Sequence, residues 1–152
     1  ALYRLFREEV PEEIETFPIG RAQVVQEGKE ITLIAYGAAV RAAIDAAEIL
    51  EEEDGVKAEI VDLLSIAPID TDTIVNSVKK TGRAIVIHEG PRTCGIGSEV
   101  IARINEHAFL YLEAPIRRVT GYDIPIPYFA RERQYIPDGD KIVAAAREVL
   151  SY

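Results

Sequence analysis

The chain has 152 residues, 48% of them hydrophobic and 28% charged, enough for one domain that buries a sizeable core. A formal charge of −9 sets it against nucleic acid, no apolar run approaches the roughly 20 residues that span a bilayer, and no basic stretch with an apolar core marks a signal peptide. The single cysteine, Cys94, excludes an internal disulfide and fits a reducing compartment.

Residues 1–18 read as a lead-in: Glu8, Glu9, Glu12, Glu13 and Glu15 crowd around Pro11, and Pro18 closes the segment. Such acidic, proline-punctuated stretches make poor strands and lie on the surface. The opening in mid-pattern at Leu2-Tyr3-Arg4-Leu5-Phe6, with no methionine in the chain, is expected of a piece of a longer polypeptide. A domain then runs over 19–152. Ile19 to Gln26 is a strand candidate, and Glu27-Gly28-Lys29-Glu30 is a tight turn into the apolar run Ile31–Tyr36. Strands joined by so short a turn are expected to run antiparallel, as an opening hairpin.

From there strands and helices alternate. Val40, Ala43, Ile44, Ala47 and Leu50 share one face of a helix from Ala38 to Glu53, which Gly55 stops. Ala58–Leu63 is the third strand, and Asp70-Thr71-Asp72 supplies N-cap chemistry for a helix that ends at Lys79-Lys80 before Gly82. Arg83–His88 is the fourth strand, Ser98–Phe109 a helix, Ile116–Thr120 the fifth strand, and Asp138–Leu150 the last helix. Alternation of this kind predicts one α/β domain with a mostly parallel sheet covered on both faces.

The stretch His88–Glu99 sits where a strand meets a helix, the place where open α/β sheets form crevices. Gly95 and Gly97 suggest a dinucleotide fingerprint, but the third glycine and the later acidic residue are missing; close packing of helix on sheet explains them without a ligand. His88 and Glu89 are an acid–base pair by type, yet neighbours on a strand point to opposite faces, so a polar contact at an interface is the plainer expectation. Cys94 near a helix N-terminus is a small thiol without a histidine beside it in sequence, and two histidines and one cysteine far apart give no metal-ligand spacing. Gly121–Tyr128 must be extended, because Pro125 and Pro127 each fix φ and bias the residue before; it lies against another subunit or wraps its own domain. Glu51-Glu52-Glu53-Asp54 opposes the helix macrodipole and reads as a solvated helix end.

His88-Glu-Gly-Pro-Arg-Thr-Cys-Gly-Ile-Gly-Ser-Glu99 resembles the His-Glu-x-Pro-x-Thr-Gly-Gly-x-x-x-Glu stretch of the β subunits of 2-oxo acid dehydrogenase E1 components. Asp62-Leu63 with Pro68 and Asp70, Lys80-Thr81-Gly82-Arg83, Glu113-Ala114-Pro115-Ile116 with Arg118-Val119, and Tyr135-Ile136-Pro137 match in the same order. Cys94, where the family commonly has glycine, and the charged stretch Phe129–Gln134 depart from it. Gly121-Tyr122-Asp123-x-Pro-x-Pro127 and Phe109–Pro115 look more like the branched-chain (2-oxoisovalerate) enzyme than the pyruvate enzyme.

The resemblance implies a transketolase C-terminal-domain fold, a three-layer α/β/α arrangement around a five-stranded mixed sheet of order 1-3-2-4-5 with the first strand antiparallel. Its crevice would lie between Gly37 and His88-Glu89. The intact enzyme would carry out oxidative decarboxylation of a 2-oxo acid and acyl transfer to lipoyl-E2. Thiamine diphosphate and magnesium would sit in the E1 α subunit and the N-terminal half of the β subunit, leaving no catalytic, cofactor or metal residue in this chain. The chain alone would be inactive and would serve assembly. His88, Glu89, Pro91, Arg92, Tyr122, Pro125, Pro127 and Tyr128 would meet a second β subunit in a heterotetramer. Glu106, Glu113 and the Tyr152 terminus would meet the basic E2 subunit-binding domain. The implied compartment is the cytoplasm, or the mitochondrial matrix in a eukaryotic source. Competing readings are the C-terminal domain of a transketolase or deoxyxylulose phosphate synthase, a complete small enzyme using His88 and Glu89, and a free-standing binding module.

Overall fold

The computed structural model describes residues 9, 12 and 16–152, so most of the lead-in expected at 1–18 lies outside the described residues. Five strands, β1 (Gln23–Gln26), β2 (Ile31–Ala35), β3 (Ala58–Asp62), β4 (Ala84–Pro91) and β5 (Arg117–Gly121), form one sheet of order β1-β3-β2-β4-β5. β1 is antiparallel to β3 and the remaining pairs are parallel, as the resemblance implies. Helices α1 (Ala39–Ile49) and α5 (Gly139–Leu150) cover one face, α2 (Thr71–Thr81) and α3 (Ile96–Ala108) the other, and a short α4 (Phe129–Tyr135) precedes α5. All five residues of β2 are buried, because it is the middle strand with helices on both sides; the edge strand β1 alternates exposed and half-buried.

The expected opening hairpin is corrected here. β1 and β2 do run antiparallel, but they do not pair: β3 lies between them. The turn crosses the start of β3 instead. The Lys29 and Glu30 amides both donate to the Lys57 carbonyl (3.0 and 3.4 Å), and the Gly28 amide donates to a Glu59 carboxylate oxygen at 3.3 Å. A Cβ on Gly28 would stand 2.2 Å from the Glu59 nitrogen, so only glycine passes there. Short-turn logic settles direction but not which strand fills the gap.

Glu59, fully buried on β3, pairs with Lys80 at the end of α2, and Lys80 also reaches Glu27 at 2.6 Å. Thr81 bonds Thr32 on β2 at 2.7 Å, Gly82 takes φ +70 to end α2, and Arg83 pairs with Glu113 at 2.6 Å. The motif Lys80-Thr81-Gly82-Arg83 is thus a polar buckle joining α2, β2, β3 and the approach to β5. On the opposite layer α1 runs into a π-helical turn at Leu50–Asp54 before Gly55, and Arg147 of α5 binds Glu53 (2.6 Å) and Asp54 (2.9 Å). The acidic helix end expected to be merely solvated is answered by a cation from a neighbouring helix.

Asp70 caps α2 as expected and does more. Its buried carboxylate accepts from the Thr73 amide (3.1 Å), the Thr73 hydroxyl (2.8 Å) and the Ala22 amide at the entry to β1 (3.0 Å). Burial pushes its pKa up, but these donors and the nearby Arg21 outweigh that and hold it below the ordinary 3.8. A carboxylate with a depressed folded pKa contributes stability above its unfolded pKa and loses it as pH falls through the folded value. Asp70→Ala is therefore expected to cost about 2 kcal/mol at neutral pH. The gap to wild type should narrow progressively as urea unfolding is repeated below pH 3.8; a gap independent of pH would show that the carboxylate charge is not what holds α2 to β1.

Candidate functional site at the carboxyl edge of the sheet

The connections leaving β2 and β4 go to opposite faces, through α1 and α3 respectively, which opens a crevice between their carboxyl ends. β4 brings His88 and Glu89 to this edge. As strand alternation requires, they part. The His88 ring turns to the α3 side and is 1% exposed, while Glu89 is half-buried and lines a cleft of about 510 Å³ on the α1–α5 side with Ala38, Arg41, Ala42, Ile136 and Gly139. The two side chains do not converge on one reacting atom.

His88 explains the glycines. A Cβ at Gly95 would lie 2.6 Å from its Cε1, and one at Gly97 would lie 2.8 Å from Nε2 and 3.0 Å from Cδ2. Both residues are bare because α3 starts directly on top of an imidazole. Neither ring nitrogen has a hydrogen-bond partner among the described residues. Burial, then the Arg118 guanidinium, push the imidazole pKa below its ordinary value, against a smaller opposing pull from the Gly90 backbone, so the ring is neutral at pH 7.

The loop between β4 and α3 is tied to the segment after β5. The Thr93 amide and hydroxyl donate to the two Asp123 oxygens at 2.8 and 2.6 Å, and these bonds draw the Asp123 pKa down. Arg118 donates to the Arg92 carbonyl and the Ser98 hydroxyl, each at 3.0 Å. Cys94, exposed at the loop tip, has φ +57, the left-handed region that glycine occupies without strain. The departure from the family pattern at this position puts a β-carbon where the backbone favours none.

Of the other anticipated contact residues, Pro91, Arg92, Tyr122, Pro125 and Tyr128 are exposed and Pro127 is half-buried, all on the loops at the carboxyl edge. Tyr128 is 96% exposed, and Ile124, Ile126, Leu64 and Ile66 add exposed apolar surface near the strand ends. Glu106, Glu113 and Tyr152 are exposed toward the opposite edge. Glu113 is occupied by Arg83, whereas Glu106 has only His107 at 4.0 Å. Two contacts that the sequence does not reveal also shape the edge. Gly121 lets the Tyr135 ring lie against the backbone, and Lys141 grips the end of α4. Only the glycine was visible as a signal, since a contact between positions 121 and 135 leaves no periodic trace.

Among the described residues no three His, Cys, Asp or Glu side chains converge to hold a metal ion, and no helix is long and apolar enough to cross a membrane. A Cβ at Gly95 or Gly97 would run into His88, so packing accounts for both glycines without a ligand.

Residues 20–142 match the family described as "Transketolase, C-terminal domain". The chain is 48% identical over 151 residues to the "Pyruvate dehydrogenase E1 component subunit beta" of Staphylococcus aureus, covering 99% of this chain and 46% of that protein. The Bacillus subtilis protein of the same description is 46% identical with the same coverage. The chain thus spans about half the length of the curated relatives it matches. Among solved structures, a split-gene transketolase described as an inactive β4 tetramer has TM-score 0.79 at 31% identity, covering 95% of this chain and 47% of that one. A transketolase from Pichia stipitis, with TM-score 0.55 at 15% identity over 86% of this chain and 18% of that one, shares the fold alone. The two curated relatives are both described as pyruvate dehydrogenase subunits, and the lean toward the branched-chain enzyme finds no support in them.

Two substitutions separate the steric roles in the β4–α3 loop. Gly97→Ala should destabilise by about 1–3 kcal/mol, because the confined His88 ring has nowhere to go. Cys94→Gly should stabilise by up to about 1 kcal/mol through relief of the left-handed backbone. Urea midpoints at matched m-value decide both, and a neutral Gly97→Ala would show that the ring is not confined.

Proposed function

This chain belongs to the transketolase C-terminal domain family, and on that premise we propose that it is the C-terminal half of the β subunit of a thiamine-diphosphate-dependent 2-oxo acid dehydrogenase E1 component of the pyruvate type. The observation that carries this is identity of 46–48% across 99% of the chain to pyruvate dehydrogenase β subunits about twice as long. In this reading the chain positions partners and performs no chemistry alone. His88 is walled in and Glu89 faces another way, so the complete-small-enzyme alternative lacks a converging acid and base.

Thiamine diphosphate and magnesium belong, in this proposal, to the E1 α subunit and the N-terminal half of the β subunit. Among the described residues no cluster of His, Cys, Asp and Glu side chains would hold the magnesium. The exposed strip Tyr122, Pro125, Tyr128 with Pro91 and Arg92 is assigned to contact with a second β subunit; its support is apolar and aromatic surface on loops held rigid by the Thr93–Asp123 bonds. Docking of the E2 subunit-binding domain is assigned to the opposite edge, with Glu106 and the exposed Tyr152 side chain as its contacts and Glu113 available only by exchange with Arg83. A cytoplasmic or mitochondrial-matrix location accompanies this assignment.

The test is reconstitution. The full β polypeptide assembled with its α subunit should decarboxylate pyruvate in a thiamine-diphosphate- and magnesium-dependent way, at least about tenfold faster per kcat/KM than a branched-chain 2-oxo acid. Turnover by the present chain alone would overturn the assembly reading, and a branched-chain preference would overturn the pyruvate assignment. A second measurement addresses docking. Affinity for a basic E2 subunit-binding domain should fall as salt is raised and fall further with Glu106→Lys; indifference to both would remove the charge-driven dock.

A further inference from the structure

The geometry points to α4 as a hinged wall of the cleft beside Glu89, held closed by two pins, Tyr135 and Lys141. Seven residues are too few for a helix to hold itself together in water. α4 has no side-chain N-cap. Among its described side chains Ala130, Arg131, Arg133 and Gln134 are exposed, Glu132 is half-buried, and Tyr135 alone is buried. The segment leading into it is exposed from Tyr122 to Ile126 and again at Tyr128. Nothing in that arrangement supplies the broad apolar face that fixes α1, α2, α3 and α5 to the sheet.

Among the described side chains, what holds α4 is concentrated at its carboxyl end. The Tyr135 ring lies over Gly121, where an added Cβ would be 2.5 Å from Cζ, and meets Tyr122 edge-on at 6.2 Å. The Lys141 ammonium donates to the carbonyls of Arg133 (3.1 Å), Gln134 (3.1 Å) and Ile136 (2.6 Å), and it lies 3.1 Å from an Asp138 oxygen. An ammonium has three protons, and these carbonyls are among those a helix end leaves without partners. Lys141 stands in the first turn of α5, where Asp138 caps the helix through the Lys141 amide at 3.0 Å, so the pin is anchored in the packed layer. The cleft wall opposite, Ala38, Arg41 and Ala42, belongs to that rigid layer as well, while Glu132, Arg133 and Ile136 line the cleft from the α4 side. Release of both pins lets the stretch from Ile124 to Ile136 swing out about Asp123, which the Thr93 bonds keep tied to the β4–α3 loop, and widens the entrance to Glu89 without disturbing the sheet. This device stands independently of the E1 assignment.

Hydrogen–deuterium exchange on the full polypeptide tests it. The Arg131 and Ile136 amides, bonded to the carbonyls of Tyr128 and Glu132 at 3.0 Å, should exchange by a local opening that is indifferent to low urea. The amides of α5 and β4 should exchange only through openings that urea promotes. Lys141→Met, which keeps the alkyl stem and removes the donors, should speed exchange of the α4 amides about tenfold and leave α5 and the sheet at wild-type rates. Tyr135→Leu should do the same through the other pin. Urea-dependent exchange of α4 in step with α5 would overturn the inference even if both variants fail to fold. So would variants that leave α4 unchanged, or that speed the whole domain equally.

Discussion

The space above the His88 ring is the constraint from which the carboxyl edge follows. An imidazole enclosed between β4 and α3 leaves no room for a side chain at positions 95 and 97, and that forces the loop from Pro91 to Cys94 to turn sharply outward. The turn is tight enough to put Cys94 in the left-handed region and to bring Thr93 onto Asp123. Arg118 then spans the loop from beneath, binding the Arg92 carbonyl and the Ser98 hydroxyl. The ring itself stays neutral, since burial and the neighbouring guanidinium both disfavour a second proton. A histidine that reads in sequence as an acid–base candidate is, in space, the floor of a loop.

The amino edge is organised by a different interaction, and a costlier one. Glu59 is a carboxylate with no exposure, tolerated because Lys80 and the Gly28 amide reach it. Buried ion pairs of this kind add little net stability, but removing one partner leaves an uncompensated charge. Their contribution here is register: Lys80 fixes the end of α2 to the middle strand group, and Gly28 fixes the β1–β2 turn across β3. The sheet order follows from that crossing, since β3 can enter between β1 and β2 only if the turn lies flat over its first residues.

Much of this was legible in the sequence, for identifiable reasons. The apolar runs at 31–35 and 84–88, the Asp70 cap, and Gly55 and Gly82 carry strong local signals, and the strands and helices they predict appear within a residue or three of the expected ends. The hairpin misread came from treating a four-residue turn as evidence of pairing, when it constrains direction only. α4 was missed because a seven-residue segment with three charged residues shows no apolar period; its described contacts are with Lys141 and Gly121, partners elsewhere in the chain. The opposed orientation of His88 and Glu89 followed from strand alternation, but the burial of the ring under two glycines needed coordinates. Local chemistry is encoded locally, and the long-range contacts that make a site are not.

The charge distribution bears on what such a domain can do. Its carboxylates outnumber its cations, 26 to 17. Many of the cations are already committed inside the fold: Lys80 to Glu59 and Glu27, Arg83 to Glu113, Arg103 to Glu99, Arg117 to Glu148, and Arg147 to Glu53 and Asp54. The net charge of −9 favours a basic partner over an acidic one. Exposed apolar side chains gather in two places among others: Tyr122, Ile124, Ile126 and Tyr128 after β5 with Leu64 and Ile66 after β3, and Phe109, Leu110 and Tyr111 after α3. Net acid charge and exposed apolar side chains together suit a domain that recognises one partner by charge and grips another by packing, the division of work that the proposed assembly role requires.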